Sequence, residues 1–176
     1  IDFSFIDGQR VTSLEVRDVA CAVFNETNKK IVDALEAQGA KAQGLISNIF
    51  ECTKADPDLG YVGSIESVDI KSVNEVLELD SIPVIAPVGF QGNEVLNINA
   101  DIATVELVKA INPYKAIFLS EIGGIFNKTG QLIPNINLAL EYSELMQEEW
   151  LHSGMKLKLE QIKSLLDHLP KTASVS

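Results

Sequence analysis

Cysteine and histidine are scarce in this chain, with two of each among 176 residues. Cys21 and Cys52 stand far apart and lack the short spacing of paired metal ligands. We therefore expect free thiols in a reducing compartment rather than a disulfide. His152 and His168 are too few and too isolated to build a histidine metal site. The composition excludes a disulfide scaffold and predicts no metal site made by the protein alone.

Long apolar runs and clusters of basic residues are also missing. No run approaches the ~20 apolar residues of a membrane helix, and no signal-peptide pattern opens the chain. The chain has 14 basic and 25 acidic residues, for a formal net charge of −11. Because phosphate contacts need basic faces, we expect neither a nucleic-acid nor a membrane partner. An anionic ligand would need local positive potential from lysine, arginine, a metal or a helix N-terminus.

Strands and helices alternate along the chain. The polar run at 12–15 fits a capping box for a long helix that extends to about residue 38, with apolar residues recurring on one face. The patterns predict further helices at 71–79, 101–110, 138–149 and 155–169, strands at 42–46, 61–68, 82–86 and 115–119, a loop at 51–60 and a hairpin at 124–133. This alternation predicts a three-layer α/β/α fold with a mainly parallel open sheet.

Three polar side chains, Asn97, Asn99 and Asp101, follow an apolar strand and precede a helix. The carboxyl end of a strand is where open α/β sheets bind ligands. Alternatively, Asp101 simply caps the following helix. Capping accounts for one of the three residues but not for the two amides before it. We therefore interpret the loop as a ligand site.

Lys158 lies within the apolar stripe of the last predicted helix, whereas Lys156 and Lys163 lie outside it at 100° per residue. A lysine in such a stripe must snorkel to solvent, pair with an anion or face a ligand cavity. Its place near the helix N-terminus adds positive potential from backbone donors. Snorkelling and a ligand role both stay open at this point.

A polar turn at 120–124 follows the predicted strand at 115–119, and it contains Ser120, Glu121, Gly123 and Gly124. Glycines there let the backbone approach a phosphate or a sugar closely. The alternative is an ordinary turn that leads into the hairpin.

Arg10 follows an Asp-Gly turn and precedes a helix N-terminus. A guanidinium at this place could hold a carboxylate through two parallel hydrogen bonds. The alternative is an isolated exposed arginine.

Five stretches in order resemble the amino-acid-kinase family, and within it the acetylglutamate kinase branch. They are DGQRVT at 7–12, IPVIAP at 82–87, NINAD at 97–101, LSEIGGI at 119–125 and GMKLK at 154–158. The likeness covers essentially the whole chain, and the order and spacing of five motifs make it specific. The tail at 150–176 resembles one subgroup, found in fungal mitochondria and in bacterial enzymes fused to an acetyltransferase domain.

The resemblance implies that ATP, with Mg²⁺, phosphorylates the side-chain carboxylate of N-acetyl-L-glutamate in arginine biosynthesis. Arg10 would bind the α-carboxylate of that substrate, and Asn97 and Asn99 would help to hold it. Lys158 would stabilise the phosphoryl group in flight, and Asp101 would orient lysine ammonium groups. Such a reaction brings two anions together, so catalysis is mostly positioning and charge neutralisation.

On the nucleotide side, the resemblance implies contacts from Met155 and from the turn residues Ser120, Glu121, Gly123 and Gly124. Glu121 stands where the family usually has aspartate. The glycine-rich opening segment of the family does not precede residue 7. We therefore expect a fold that is incomplete at its N-terminus and little or no activity from these 176 residues alone.

The resemblance also implies two lobes that share one continuous sheet. Residues 1–110 would belong to the substrate-binding lobe and residues 111–176 to the nucleotide-binding lobe. We expect a homo-oligomer, cytoplasmic in a bacterium or in the mitochondrial matrix of a fungus, with arginine as a possible feedback inhibitor.

Two other functions remain open from the sequence. One is an arginine-sensing, kinase-like regulatory domain of an N-acetylglutamate synthase. The other is a different acyl kinase, such as an aspartate kinase. The joint presence of Arg10, Asn97, Asp101 and Lys158 favours an acetylglutamate kinase over a sensor, which would not need all four.

Overall fold

The computed structural model describes residues 4–6, 9–119, 124–151, 153–169 and 174–175. The chain divides into two compact units, Ile1–Ala110 and Ile111–Ser176. Within the described residues, no helix has the length and apolar character needed to cross a membrane.

The first unit contains eight strands, three α-helices and a 3₁₀-helix at Pro57–Leu59 among its described residues. The α-helices are α1 (Leu14–Ala37), α2 (Lys71–Glu78) and α3 (Ala100–Ile111), whose last residue crosses the unit boundary. The strands are β1 (Phe5–Ile6), β2 (Gln9–Arg10), β3 (Ala42–Leu45), β4 (Phe50–Lys54), β5 (Gly63–Val68), β6 (Ile82–Ile85), β7 (Val88–Gln91) and β8 (Glu94–Asn97).

A four-stranded sheet in the order β5-β4-β7-β8 forms the centre of the first unit. β4 and β7 run parallel, and β5 and β8 each pair antiparallel with an inner strand. β3 pairs in parallel with β6, and β1 with β2 forms a small antiparallel hairpin. The predicted α/β class with parallel strands is confirmed, and antiparallel hairpins add strands that the patterns did not indicate.

The core of the first unit is built from strands and from helices, and the helices contact β3, β6 and β8. Its most deeply buried side chains are aliphatic or aromatic and come from strands and helices alike; they include Phe50, Val62, Val73, Val76, Leu96 and Val105. Short alternating strands of this kind bury one face against helices.

The second unit contains β9 (Lys115–Ala116), α4 (Leu138–Leu145), α5 (Ser153–His168) and β10 (Ser174–Val175). β9 and β10 pair in parallel. The predicted hairpin at 124–133 is confirmed by an antiparallel bridge between Phe126 and Leu132. The small core of the second unit centres on Leu138, Leu151 and Leu159.

Three local predictions are wrong. Residues 50–54 form β4, where a loop was expected at 51–60, because pairing on both sides overrides their polar composition. The predicted buried strand at 115–119 extends only to Ala116, and Leu119 is 90% exposed. The long helix begins after Ser13, whose side chain accepts from the backbone N–H of Val16, so Ser13 and not Thr12 is its cap.

Asn28 is a polar residue that the apolar pattern of α1 did not reveal as important. It is buried, and its Nδ2 donates a hydrogen bond of 2.7 Å to the carbonyl oxygen of Val84 on β6. Its Oδ1 also lies where a side chain at Gly44 would stand, so β3 approaches the helix closely at that glycine. Asn28 therefore fastens α1 to the β3–β6 pair.

We predict that Asn28→Ala lowers the free energy of unfolding by about 1–3 kcal/mol, because the buried partner of its amide loses a hydrogen bond. Asn25→Ala is the matched control, since Asn25 is exposed on the same helix. Urea unfolding followed by circular dichroism measures both. Equal stability losses in the two variants would contradict the role of Asn28.

Candidate functional site

A cavity of about 440 Å³ opens in the first unit and brings together three of the predicted substrate residues, Arg10, Asn97 and Asn99. These residues come from β2, from the end of β8 and from the loop before α3. The rest of the lining is mostly apolar and is formed by Phe5, Gln9, Val16, Val19, Ala20, Val23, Phe24 and Val62.

The apolar wall comes chiefly from the first half of α1. Val19 and Val23 lie there, each about half exposed. The apolar face predicted for this helix therefore lines an open cavity at its N-terminal half instead of the core. A cavity with an apolar wall and a few polar groups is typical of small-molecule sites.

Arg10 supplies a cationic group at this cavity. Its guanidinium carbon lies 5.4 Å from the ring centroid of Phe5, within the range of a cation–π contact. The ring attracts the positive charge of the guanidinium, although the ring itself carries no formal charge. A guanidinium in this position suits an anionic group of a ligand whose carbon chain packs on the aliphatic wall.

Thr12, which is fully buried, connects Arg10 to Asn97. Its hydroxyl donates to the carbonyl oxygen of Arg10 at 2.9 Å and accepts from Nδ2 of Asn97 at 3.2 Å. The capping interpretation of the 12–15 run missed this role. The signal available in the sequence was a hydroxyl residue at the end of the DGQRVT stretch, two positions after Arg10.

The segment 60–62 lies between these two parts of the site. Tyr61 N–H donates to the carbonyl oxygen of Thr12 at 2.7 Å, and the N–H of Asn97 donates to the carbonyl oxygen of Tyr61 at 2.9 Å. Gly60 is required at its position, because its φ is +70° and an added Cβ would lie 2.5 Å from the carbonyl oxygen of Thr12.

The ring of Tyr61 contacts two cations. The guanidinium carbon of Arg17 lies 4.8 Å from its centroid, and Nζ of Lys54 lies 4.5 Å from it. Arg17 also pairs with Asp18, and Lys54 pairs with Glu94. These contacts hold the side chain of Tyr61 while its backbone bridges Thr12 and Asn97.

Asn99 caps helix α3. Its Oδ1 accepts from the backbone N–H groups of Asp101 at 2.9 Å and Ile102 at 3.2 Å. The alternative in which Asp101 caps this helix is therefore wrong. Asp101 lies in the first turn of α3, half-buried, where a carboxylate is stabilised by the helix dipole. Part of the polar pattern at 97–101 thus serves local structure.

Neither cysteine is suited to nucleophilic chemistry at neutral pH. Cys21 and Cys52 are both free thiols, as predicted. Burial raises the pKa of Cys52 to about 11, and burial also raises the pKa of Cys21. A raised pKa keeps the thiol protonated and unreactive. Across the described parts of the chain, no three His, Cys, Asp or Glu side chains are grouped to hold a metal ion.

A second cavity, of about 260 Å³, lies within the second unit. It is lined by Lys158, Met155 and Gly124, among mostly apolar neighbours. Lys158 is half-buried, and its Nζ lies 5.5 Å from the ring centroid of Phe118. The lysine in the apolar stripe therefore lines a cavity. The structure brings together three of the residues predicted for phosphoryl transfer and nucleotide contact.

Gly124 has a φ of +147°, and an added Cβ would lie 2.6 Å from Cδ1 of Leu132. Only glycine fits at this place in the turn. The other predicted nucleotide residues, Ser120, Glu121 and Gly123, lie outside the described residues, as do Asp7 and Gly8 of the Asp-Gly turn.

The chain matches the Amino acid kinase family over residues 2–171, and it belongs to that family. The acetylglutamate kinase of Xylella fastidiosa is 44% identical over 173 residues, which cover 97% of this chain and 41% of that protein. The mitochondrial protein arg-6 of Neurospora crassa is 36% identical over 178 residues, covering all of this chain and 20% of that protein. The chain thus spans about two fifths of the bacterial relative, and the predicted likeness to fungal mitochondrial proteins is confirmed.

Two solved structures share the fold. The protein smu.665 from Streptococcus mutans has a TM-score of 0.89 and 24% identity, covering 99% of this chain and 72% of that one. The N-acetylglutamate synthase of Neisseria gonorrhoeae, solved with coenzyme A and N-acetyl-glutamate, has a TM-score of 0.82 and 19% identity. That match covers 96% of this chain and 40% of the synthase. At these identities the two likenesses establish the fold alone.

We predict that Asn99→Ala lowers the free energy of unfolding by about 0.5–2 kcal/mol through loss of the helix cap, whereas Asn99→Ser retains most of it. Chemical denaturation of the three proteins measures the difference. If Asn99→Ser also keeps wild-type affinity for N-acetyl-L-glutamate, the ligand that the resemblance implies, capping is the whole role of Asn99. A stable Asn99→Ser protein with weakened binding would show an additional contact with the ligand.

Proposed function

We propose that the full-length protein is an acetylglutamate kinase, which transfers the terminal phosphoryl group of ATP to the side-chain carboxylate of N-acetyl-L-glutamate in arginine biosynthesis. The observation that carries this proposal is that Arg10 and Asn97 line the same cavity, although 86 residues lie between them in the sequence. The relatives named acetylglutamate kinase support it.

In this proposal, the first unit belongs to the lobe that binds the acceptor. The guanidinium of Arg10 holds the α-carboxylate through paired, charge-assisted hydrogen bonds. The aliphatic wall of α1 packs on the carbon chain, and the amide of Asn97 contacts a polar group of the substrate. Binding an anion to a protein of net charge −11 requires such a local cation.

In the same proposal, the second unit belongs to the lobe that binds ATP, with Met155, Gly124 and the neighbouring turn residues Ser120, Glu121 and Gly123 in contact with the nucleotide. Lys158 lies against the cavity there, and its ammonium would neutralise charge on the transferred phosphoryl group. Asp101 would orient lysine ammonium groups through its carboxylate. Such a reaction needs no nucleophilic side chain, because the substrate carboxylate is the attacking group.

Magnesium fits this proposal as the partner of the nucleotide phosphates. Mg²⁺ is usually bound through one or two carboxylates together with phosphate oxygens and waters, so a grouped set of protein ligands is not required. The ion would supply charge neutralisation between the phosphates. The carboxylate of Asp101 has the oxygen chemistry that such an ion prefers.

We predict that Lys158→Ala in the full-length protein lowers kcat by two or more orders of magnitude, with little change in the Kd for N-acetyl-L-glutamate. The reason is that its charge acts mainly in the transition state. A coupled assay of ADP release measures kcat, and calorimetry measures binding. Lys156→Ala is the matched control, because Lys156 lies on the same helix outside the apolar stripe, and we expect it to keep near wild-type turnover. Wild-type turnover in Lys158→Ala would overturn its assigned role.

We predict that Arg10→Lys raises the KM for N-acetyl-L-glutamate about tenfold or more with a smaller change in kcat, because lysine keeps the charge but loses the planar fork. The same assay and calorimetry measure this split. Binding of arginine by the wild-type protein without binding of Mg-ATP or N-acetyl-L-glutamate would instead identify a regulatory sensor.

A further inference from the structure

We propose that Thr12 is a positioning residue that sets the orientation of the Asn97 amide and joins it to the Arg10 strand. Its side chain touches no ligand in this proposal, since it is fully buried behind the cavity wall. The identity of the ligand rests on the proposed function above, whereas the orientation of the amide rests on the structure alone.

The argument begins with the single proton of the Thr12 hydroxyl. That proton is donated to the carbonyl oxygen of Arg10 at 2.9 Å, and a carbonyl oxygen can only accept. The hydroxyl oxygen can therefore only accept from the Asn97 side chain, which lies 3.2 Å away. Asn97 must present its NH₂ group to Thr12, because its own carbonyl oxygen in that place would face a second acceptor.

The orientation of Asn97 has a chemical consequence at the cavity. One amide proton of Asn97 is donated to Thr12. Oδ1 and the second amide proton therefore point in directions that this hydrogen bond fixes. Without the Thr12 oxygen the two ends of an asparagine amide are nearly equal in shape, and a flipped amide would offer a donor where the wild type offers an acceptor. A ligand that forms a hydrogen bond with this amide would then face a donor in place of an acceptor.

The backbone supports the same arrangement. Thr12 N–H donates to the carbonyl oxygen of Leu59 at 2.9 Å, and the carbonyl oxygen of Thr12 accepts from Tyr61 at 2.7 Å. The main chain of Thr12 is therefore fixed on both sides. The position of its side chain is therefore set by the backbone pairing and not by a ligand.

The first test uses the wild-type full-length protein without ligand. In ¹⁵N-labelled protein, assigned by comparison with Asn97→Ala, one Nδ2 proton of Asn97 is expected to exchange with water at least about tenfold more slowly than the other. Equal and rapid exchange of both protons would overturn the proposal, whatever the protein binds.

The second test compares Thr12→Val, which keeps the shape and removes the oxygen, with Thr12→Ser, which keeps the oxygen. We expect Thr12→Val to abolish the slow exchange and to raise the KM for N-acetyl-L-glutamate about tenfold, with kcat within about twofold of wild type. Thr12→Ser is expected to restore KM to within about threefold and to restore the slow proton.

Thr53→Val is the matched control. Thr53 is an exposed strand residue that does not line the cavity, and its hydroxyl donates to Glu66 at 2.9 Å. Its KM and its Asn97 amide exchange should equal those of wild type. Thr12→Val with reduced thermal stability but wild-type KM and wild-type amide exchange would show a purely structural role and overturn the proposal.

The two proposals fail in different ways. A wild-type protein that does not bind N-acetyl-L-glutamate refutes the proposed function, whereas the slow proton and its loss in Thr12→Val still support the role of Thr12. If Thr12→Val does not fold, the exchange measurement on the wild type and on Thr12→Ser decides alone. In that case the absence of a slow proton in either protein refutes the proposal.

Discussion

The pairing of segment 60–62 with Thr12 on one side and Asn97 on the other holds the first cavity together. Parallel bridges join Thr12 to Gly60 and Val62 to Asn97, so three distant parts of the chain meet at one short segment. Thr12 and Val62 are buried, and the other residues of this pairing are half-buried. Leaving a buried backbone group unpaired would cost more than a typical hydrogen bond contributes. The close approach at Gly60 is what permits the pairing.

Aromatic rings recur beside cations in this acidic protein, although aromatic residues make up only 6% of it. Arg10 lies over Phe5, Lys158 lies near Phe118, and Tyr61 contacts two cations at once. A ring face attracts a cation through its quadrupole and adds no formal negative charge. Each of the two cavities is therefore lined by a cation that lies beside an aromatic ring.

The long elements of the fold could be predicted from sequence, because their apolar periodicity extends over many residues. Helices α1 and α5 and the strand β6 fall close to their predicted bounds, although β6 is only half-buried. The strand β4 was missed, since its stability comes from pairing with strands distant in sequence, and so was the hairpin that β7 forms with the strand that ends at Asn97. Short polar strands carry little signal of their own.

Candidate site residues were predictable as residue types but not as roles. Arg10, Asn97 and Asn99 were named from position and resemblance, and they line one cavity. Sequence could not reveal that Asn99 caps α3, because capping and ligand binding favour the same small polar side chains. Thr12 was assigned to a helix cap, and only its three-dimensional neighbours reveal a buried hydroxyl between two site residues.

The bridging of the site by a single segment has a consequence for its dynamics. Separation of 60–62 from its neighbours would break the links of Thr12 and Asn97 together, so we expect the first cavity to open as one cooperative unit and not residue by residue. A molecule that binds only the assembled cavity then stabilises that whole unit in proportion to its occupancy. Binding at the cavity and the local stability of segment 60–62 therefore depend on the same equilibrium between paired and separated states.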